Sequence, residues 1–213
     1  EEKLDLLLKI REGTEVQWEG RHRAPLDGQG VYPRPLQNPL PVRIGVGGTP
    51  QSVVRAANHG LPLVLAIIGG EPHRFRPLLD LYREAGQRAG HAPAKLTAGI
   101  HVIGFVGDTT AGAADLFYPS YKDAFDVIGQ ERGWGPTTRA HYDASRSPLG
   151  ALVVGGPEEV AEKILHINQT LGGISRLSIL LNGGSVPHRD VMRAIELLGT
   201  RVAPLVRKEI GGT

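Results

Sequence analysis

From residue 41 onward the chain repeats one local theme: a short apolar run, a glycine-rich turn, and a segment with helical spacing. "VRIGV" leads through Gly47-Gly48 into a helix over 50–59. "PLVLAII" leads through Gly69-Gly70-Glu71-Pro72 into a helix over 72–89. "LTAGIHVIGFV" leads through Gly107-Asp108 into a helix through "TAGAADLFYPSYKDAFDVIGQE". "ALVVGGPEEVAEKILHINQTLG" reads as a short apolar run and a helix. "RLSILL" leads through Asn182-Gly183-Gly184 into a helix over 187–208. Parallel strands need a crossover between them, and helices usually supply it. The theme therefore predicts an α/β fold with a parallel sheet covered by helices. In such folds ligands bind at the carboxyl ends of the strands. Three of these strand ends carry Gly-Gly, which places them where a ligand would sit.

The first turn is the most informative. Thr49 has the residue type of an N-cap, whose hydroxyl accepts from a free N–H of the first turn. Pro50 suits the first helical position, where its missing N–H costs nothing. Val53, Val54, Ala56 and Ala57 then supply an apolar face at helical spacing. A helix start of this kind offers unpaired N–H groups to an anion such as phosphate, and glycines before it allow close approach. Taken alone, such a stretch is more often an ordinary tight βα turn. Arg43 interrupts the apolar run, and burying it unpaired would be costly.

The remaining segments are less regular. The opening "EEKLDLLLKIREG" spaces Leu4, Leu7, Leu8 and Ile10 as a helix over 1–12, and "TEVQWEG" suits a short hairpin arm. Trp18 on that arm reads as a packed aromatic. No initiator methionine precedes this helix, and the only methionine is Met192. The expectation is a chain that starts inside a helix, with an N-terminal portion lying elsewhere. Residues 129–150, "GQERGWGPTTRAHYDASRSPLG", break the rhythm and contain Trp134, His141 and Tyr142. They form either an insertion or lid near the site, or a solvated connector.

Composition and motifs exclude several classes. The net charge is +2, with no basic block, so nucleic acid is not an expected partner. The absence of cysteine excludes disulfides, thiolate metal sites and cysteine catalysis. No apolar run approaches a membrane span and no signal peptide is visible, so the expected location is cytoplasmic. The dinucleotide fingerprint starts at Gly45-Val46-Gly47 but has Pro50 where its third glycine belongs. The P-loop and the G-x-S-x-G elbow are absent. The eight histidines are scattered with no pair at three or four residues, so no metal site is expected. His101 lies within a strand, where a lone histidine is more often a hydrogen-bonded core residue than a base. Glu158 and Glu159 suit a helix start and read as structural.

Three longer stretches, "PVRIGVGGTPQSVVRAANHGLPLVLAIIGG", "GALVVGGPEEVAEKI" and "LGGISRLSILLNGGSVPHRDVMRAIELLGTRVAPLVRKE", together resemble the bacterial luciferase-like flavin-dependent oxidoreductases. The resemblance runs from about residue 1 to 209. It implies a (β/α)8 TIM barrel, of which this chain holds only the second half, about strands 5–8, as a single domain over 1–213. Residues 150–156 then form a connector. It implies a monooxygenase using reduced FMN and oxygen on a small organic substrate, with a separate flavin reductase as partner. An F420-dependent reductase or dehydrogenase, or a non-catalytic flavin-binding barrel, are the alternatives.

By that resemblance Gly47, Gly48, Thr49 and Ser52 lie at the helix start that helps to hold the flavin phosphate. Gly69 and Gly70 lie near the flavin or the substrate. No catalytic residue is assigned. The family commonly has tryptophan at the position of Arg43. Half a barrel leaves open sheet edges, so association, with a homo-oligomer as one form, is expected.

Overall fold

The computed structural model describes residues 1–181 and 184–211. The chain divides into two compact units, Glu1–Arg43 and Ile44–Thr213. The third Gly-Gly turn includes Asn182 and Gly183 and lies outside the described residues.

In the first unit, helix α1 (Glu2–Glu12) precedes strands β1 (Glu15–Trp18) and β2 (Leu26–Gly30), which pair antiparallel as the expected hairpin arm. Leu6 is the buried residue of α1, and Leu7, expected on its apolar face, is 42% exposed. Residues 2, 6 and 10 share one stripe at four-residue spacing, and Leu7 lies off it. The Arg34 guanidinium closes the end of α1, donating to Ile10 O at 3.0 Å and Arg11 O at 3.2 Å. Trp18 is half-buried, as a packed aromatic. Arg43 is exposed, so the cost of burying it does not arise.

The second unit carries the rhythm of strands and helices. Its strands are β3 (Ile44–Val46), β4 (Leu63–Ala66), β5 (Ala98–Val106), β6 (Val153–Gly155) and β7 (Arg176–Leu180). Its helices are α2 (Pro50–Asn58), α3 (Arg76–Arg88), α4 (Thr110–Arg132), α5 (Arg139–Arg146), α6 (Pro157–Thr170), α7 (His188–Leu197) and α8 (Ala203–Gly211). A 3-10 turn, Pro72–Phe75, precedes α3, and a π-helical turn, Leu198–Val202, joins α7 to α8. Among the described residues the strand pairs of this unit are all parallel. Helix α4 starts with the Thr109 hydroxyl accepting from Gly112 N at 3.1 Å and stops at Gly133 in the left-handed region.

Strands β3, β4, β5 and β7 lie side by side, and β6 joins the upper end of β5. Ile67 N donates to His101 O, and Gly107 N donates to Gly155 O. Positions 101 and 107 have the same parity, so β4 and β6 share one edge of β5. Beyond Ile67 the chain turns away at Gly69-Gly70, and the freed edge of β5 accepts β6. The Ala151 N–H donates to Gly70 O at 3.1 Å and ties the two segments together. The segment expected as a connector over 150–156 thus contains a strand of its own.

Alternation places Val46, Leu63, Leu65, Ile67, Ile100 and Val102 on the helix-covered face, where they pack with Val53, Leu79, Tyr82, Ile164 and Ile167. A second cluster joins Ile103 and Phe105 to Phe117 and Tyr121 of α4, Tyr142 of α5 and Ala194 of α7. The other sheet face carries the row Gly45, Val64, Gly99, Arg176 and then the row Ala66, His101, Ser178. Among the described residues β3 and β7 each pair on one side only. No helix among the described residues is long and apolar enough to cross a membrane.

Candidate functional site at the strand carboxyl edge

The turn after β3 reaches α2 in three residues. Thr49 has the extended backbone of an N-cap, but its side chain makes no cap hydrogen bond, contrary to the sequence expectation. The Ser52 and Val53 N–H groups already bond to Thr49 O, at 3.0 and 3.2 Å, and Pro50 has no N–H. The Thr49 hydroxyl is therefore left available to a ligand. Gly48 has φ +114°, a conformation that side chains rarely adopt, and no atom lies within 4 Å of a Cβ built at Gly47 or Gly48. A nine-residue helix thus starts at an exposed, sterically open turn. An anion fits there, because the first amides and the helix dipole both favour negative charge. Ser52 is half-buried on the first turn of the same helix.

Gly69 and Gly70 follow the neighbouring strand β4, so they share this carboxyl edge. They are exposed, Gly70 has φ +77°, and no atom lies within 4 Å of a Cβ built at either. They line a cavity of about 450 Å³ together with Tyr121, Phe125, Trp134 and His141. The structure thus brings Gly69 and Gly70 together with Trp134 and His141 from the segment 129–150. Gly47, Gly48, Thr49 and Ser52 do not line this cavity. Tyr142, from the same segment, is buried in the second core cluster.

Sequence reasoning missed Tyr121 and Phe125, which α4 presents to the cavity. The signal that could have found them is their four-residue spacing, which puts both rings on one helix face. Their centroids are 4.3 Å apart and stacked. Burial raises the Tyr121 phenol above its usual value, so it stays neutral over the ordinary pH range.

A smaller cavity of about 220 Å³ lies at the end of β5, where Arg193 of α7 meets Asp108 at 2.6 Å and Glu196 at 2.8 Å. The Arg193 hydrogen bond holds the Asp108 carboxyl below its usual range. These groups are exposed and paired, which makes them a tie between α7 and the turn before α4. His101 Nδ1 lies 3.1 Å from Ser178 Oγ, so this strand histidine has a hydrogen-bond partner. No group of three or more potential metal ligands occurs among the described residues.

Fold and site together define an α/β protein with glycine-rich turns and an aromatic cavity at the carboxyl edge of a parallel sheet. The profile of the luciferase-like monooxygenases matches residues 1–173, and the chain belongs to that family. Solved structures agree on the fold. The monooxygenase RslO1 from Streptomyces bottropensis is 21% identical, with a TM-score of 0.77, over 95% of this chain and 59% of that one. The oxygenating constituent of 3,6-diketocamphane monooxygenase from the CAM plasmid of Pseudomonas putida, in complex with FMN, is 20% identical with a TM-score of 0.66, over 95% of this chain and 62% of that one. An F420-dependent secondary alcohol dehydrogenase in complex with an F420–acetone adduct is 15% identical with a TM-score of 0.65, over 96% of this chain and 60% of that one. This chain therefore spans about three-fifths of the length of these structures. No curated protein sequence matches it.

Proposed function

We propose that this chain forms part of a flavin-dependent oxidoreductase, a monooxygenase that uses reduced FMN and oxygen on a small organic substrate. The observation that carries the reading is the open turn at Gly47, Gly48 and Thr49, with its uncommitted hydroxyl at the start of α2. The amides around Gly48 and Thr49, with the hydroxyls of Thr49 and Ser52, would hold the flavin phosphate. Gly69 and Gly70 would approach the rest of the cofactor or the substrate. Bound flavin would supply the redox chemistry, while the chain orients it and excludes water. A separate flavin reductase would deliver the reduced cofactor. The likeness to an F420-dependent dehydrogenase favours a second reading, a reductase or dehydrogenase using F420.

Titration with FMN and with F420 tests both readings. A charge-assisted hydrogen bond is worth about 1.5–3 kcal/mol, so Thr49→Ala should weaken the true cofactor by about tenfold or more. Its thermal stability should hardly change, because the hydroxyl makes no cap bond. Gly48→Val should weaken binding further, since it fills the open approach; its folding is checked separately because φ there is positive. Tight FMN or F420 binding by Gly48→Val would place the phosphate elsewhere, and binding of neither cofactor by the wild type would end the proposal.

The same reading takes β3, β4, β5 and β7 as the last four strands of an eight-stranded barrel. Unpaired strand edges at β3 and β7 support it, as does the coverage of about three-fifths of each related chain. Exposed edges and apolar faces favour association. Sedimentation of the 213-residue chain should therefore show a dimer or larger species. A soluble monomer at high concentration would count against this.

A further inference from the structure

We infer that the aromatic cavity at the end of β4 binds a flat, apolar ring compound carrying a carbonyl or hydroxyl oxygen, and that Tyr121 donates a hydrogen bond to that oxygen. The inference deepens the reading above, on which it rests, by giving the organic substrate a place and a chemical class.

The walls set the shape. Tyr121 and Phe125 come from α4, Trp134 follows that helix, and His141 and Ser145 come from α5. The floor is Ile68, Gly69 and Gly70, and at the two glycines the lack of a side chain leaves backbone open to a ligand. A volume of about 450 Å³ suits a small organic molecule. Aromatic walls favour a planar ring through stacked and edge contacts.

The polar signal is independent of the shape. Tyr121 is 5% exposed, yet its hydroxyl bonds to no described residue, whereas the buried hydroxyls of Tyr82 and Tyr142 bond to Leu61 O and Ala114 O. A phenol on a cavity wall without a partner among the described residues is free to donate to a ligand oxygen. Tyr121 is held in place by its stack on Phe125 and by Tyr142, whose centroid is 5.2 Å away. The loop bearing Trp134 is also pinned, since Thr137 N donates to Asp126 Oδ1 at 2.7 Å. The Arg132 guanidinium sits 5.2 Å from the Trp134 ring. The Tyr121 ring and the backbone after Trp134 are thus tied to the protein before any ligand arrives.

Two probes separate shape from polarity: 2-acetylnaphthalene, which has an acceptor oxygen, and 2-ethylnaphthalene, which has none. Calorimetric titration of the full chain should show saturable binding of both, with the ketone the tighter. Tyr121→Phe should weaken the ketone at least fivefold and leave the hydrocarbon within twofold. Trp134→Ala should weaken both at least tenfold. Gly69→Leu, at a position where a side chain meets open space, should block both without loss of thermal stability. The chain has two tryptophans, Trp18 and Trp134, so ligand quenching lost in Trp134→Ala would locate the probe. Absence of saturable binding, unchanged binding in Trp134→Ala or Gly69→Leu, or equal losses of both probes in Tyr121→Phe would overturn the assignment. Cofactor titration in parallel keeps the two proposals apart. Flavin binding without ketone binding sinks only this inference, and ketone binding without any flavin binding sinks only the function proposed above.

Discussion

Replacing Lys163 with methionine should destabilise the fold by about 3 kcal/mol, because it removes three charge-assisted hydrogen bonds, one of them buried. Lys163 is 7% exposed on α6. Its ammonium donates to Arg146 O at 3.0 Å, Ser147 O at 2.7 Å and Leu152 O at 2.7 Å. These carbonyls belong to the end of α5 and the segment leading into β6, so one side chain binds α6 to both. Methionine keeps the apolar stem and removes every donor. Burial pulls the Lys163 amine down to about 8; Glu159 opposes this and Arg146 adds to it. An unfolded lysine titrates at about 10.4. Between these values the unfolded chain keeps a proton that the folded chain has released, so this group adds stability as pH rises through that window. Urea unfolding from pH 7 to 10.5 should show the rise in wild type relative to Lys163→Met. Parallel pH profiles for the two proteins would refute the assignment.

Tyr142→Ala should cost about 3–5 kcal/mol, as expected when a buried aromatic is truncated. Tyr142 is fully buried, and its hydroxyl donates to Ala114 O at 3.0 Å. Its ring meets Tyr118 at 5.1 Å and Tyr121 at 5.2 Å, with the Arg139 and Arg146 guanidinium groups each 5.7 Å from it. Tyr142 therefore anchors α5 to α4. Tyr142→Phe keeps the packing and loses one hydrogen bond, so it should cost about 1 kcal/mol. Denaturant unfolding of the two variants should rank them in that order. Equal costs would mean that the hydroxyl, not the ring, holds the helix.

Much of the parallel sheet was legible before folding. Its strands are short apolar runs, its turns are glycines, and its crossovers are helices with an apolar stripe. All three are local properties with a fixed period. The open turn at the start of α2 was legible for the same reason, since Gly48, Thr49 and Pro50 are adjacent in sequence. Its capping detail was not, because whether the Thr49 hydroxyl bonds its own helix depends on which amides the Thr49 carbonyl has already taken.

The segment 129–150 shows where local reading stops. Its prolines and glycines announced an interruption, and its aromatic residues looked alike. Yet Trp134 lines the cavity while Tyr142 is buried in the core cluster beneath α4. Similarly, "ALVV" was an apolar run whose strand β6 depended on an edge of β5 that β4 vacates. The sequence by itself determined the element types, their order, the parallel sheet and the family, because these follow from periodicity and from contiguous motifs. Tertiary structure alone decided which aromatic rings face the cavity, where Lys163 finds its three carbonyls, and which edge of β5 takes β6. Those outcomes depend on contacts between residues far apart in the chain, and no local spacing encodes them.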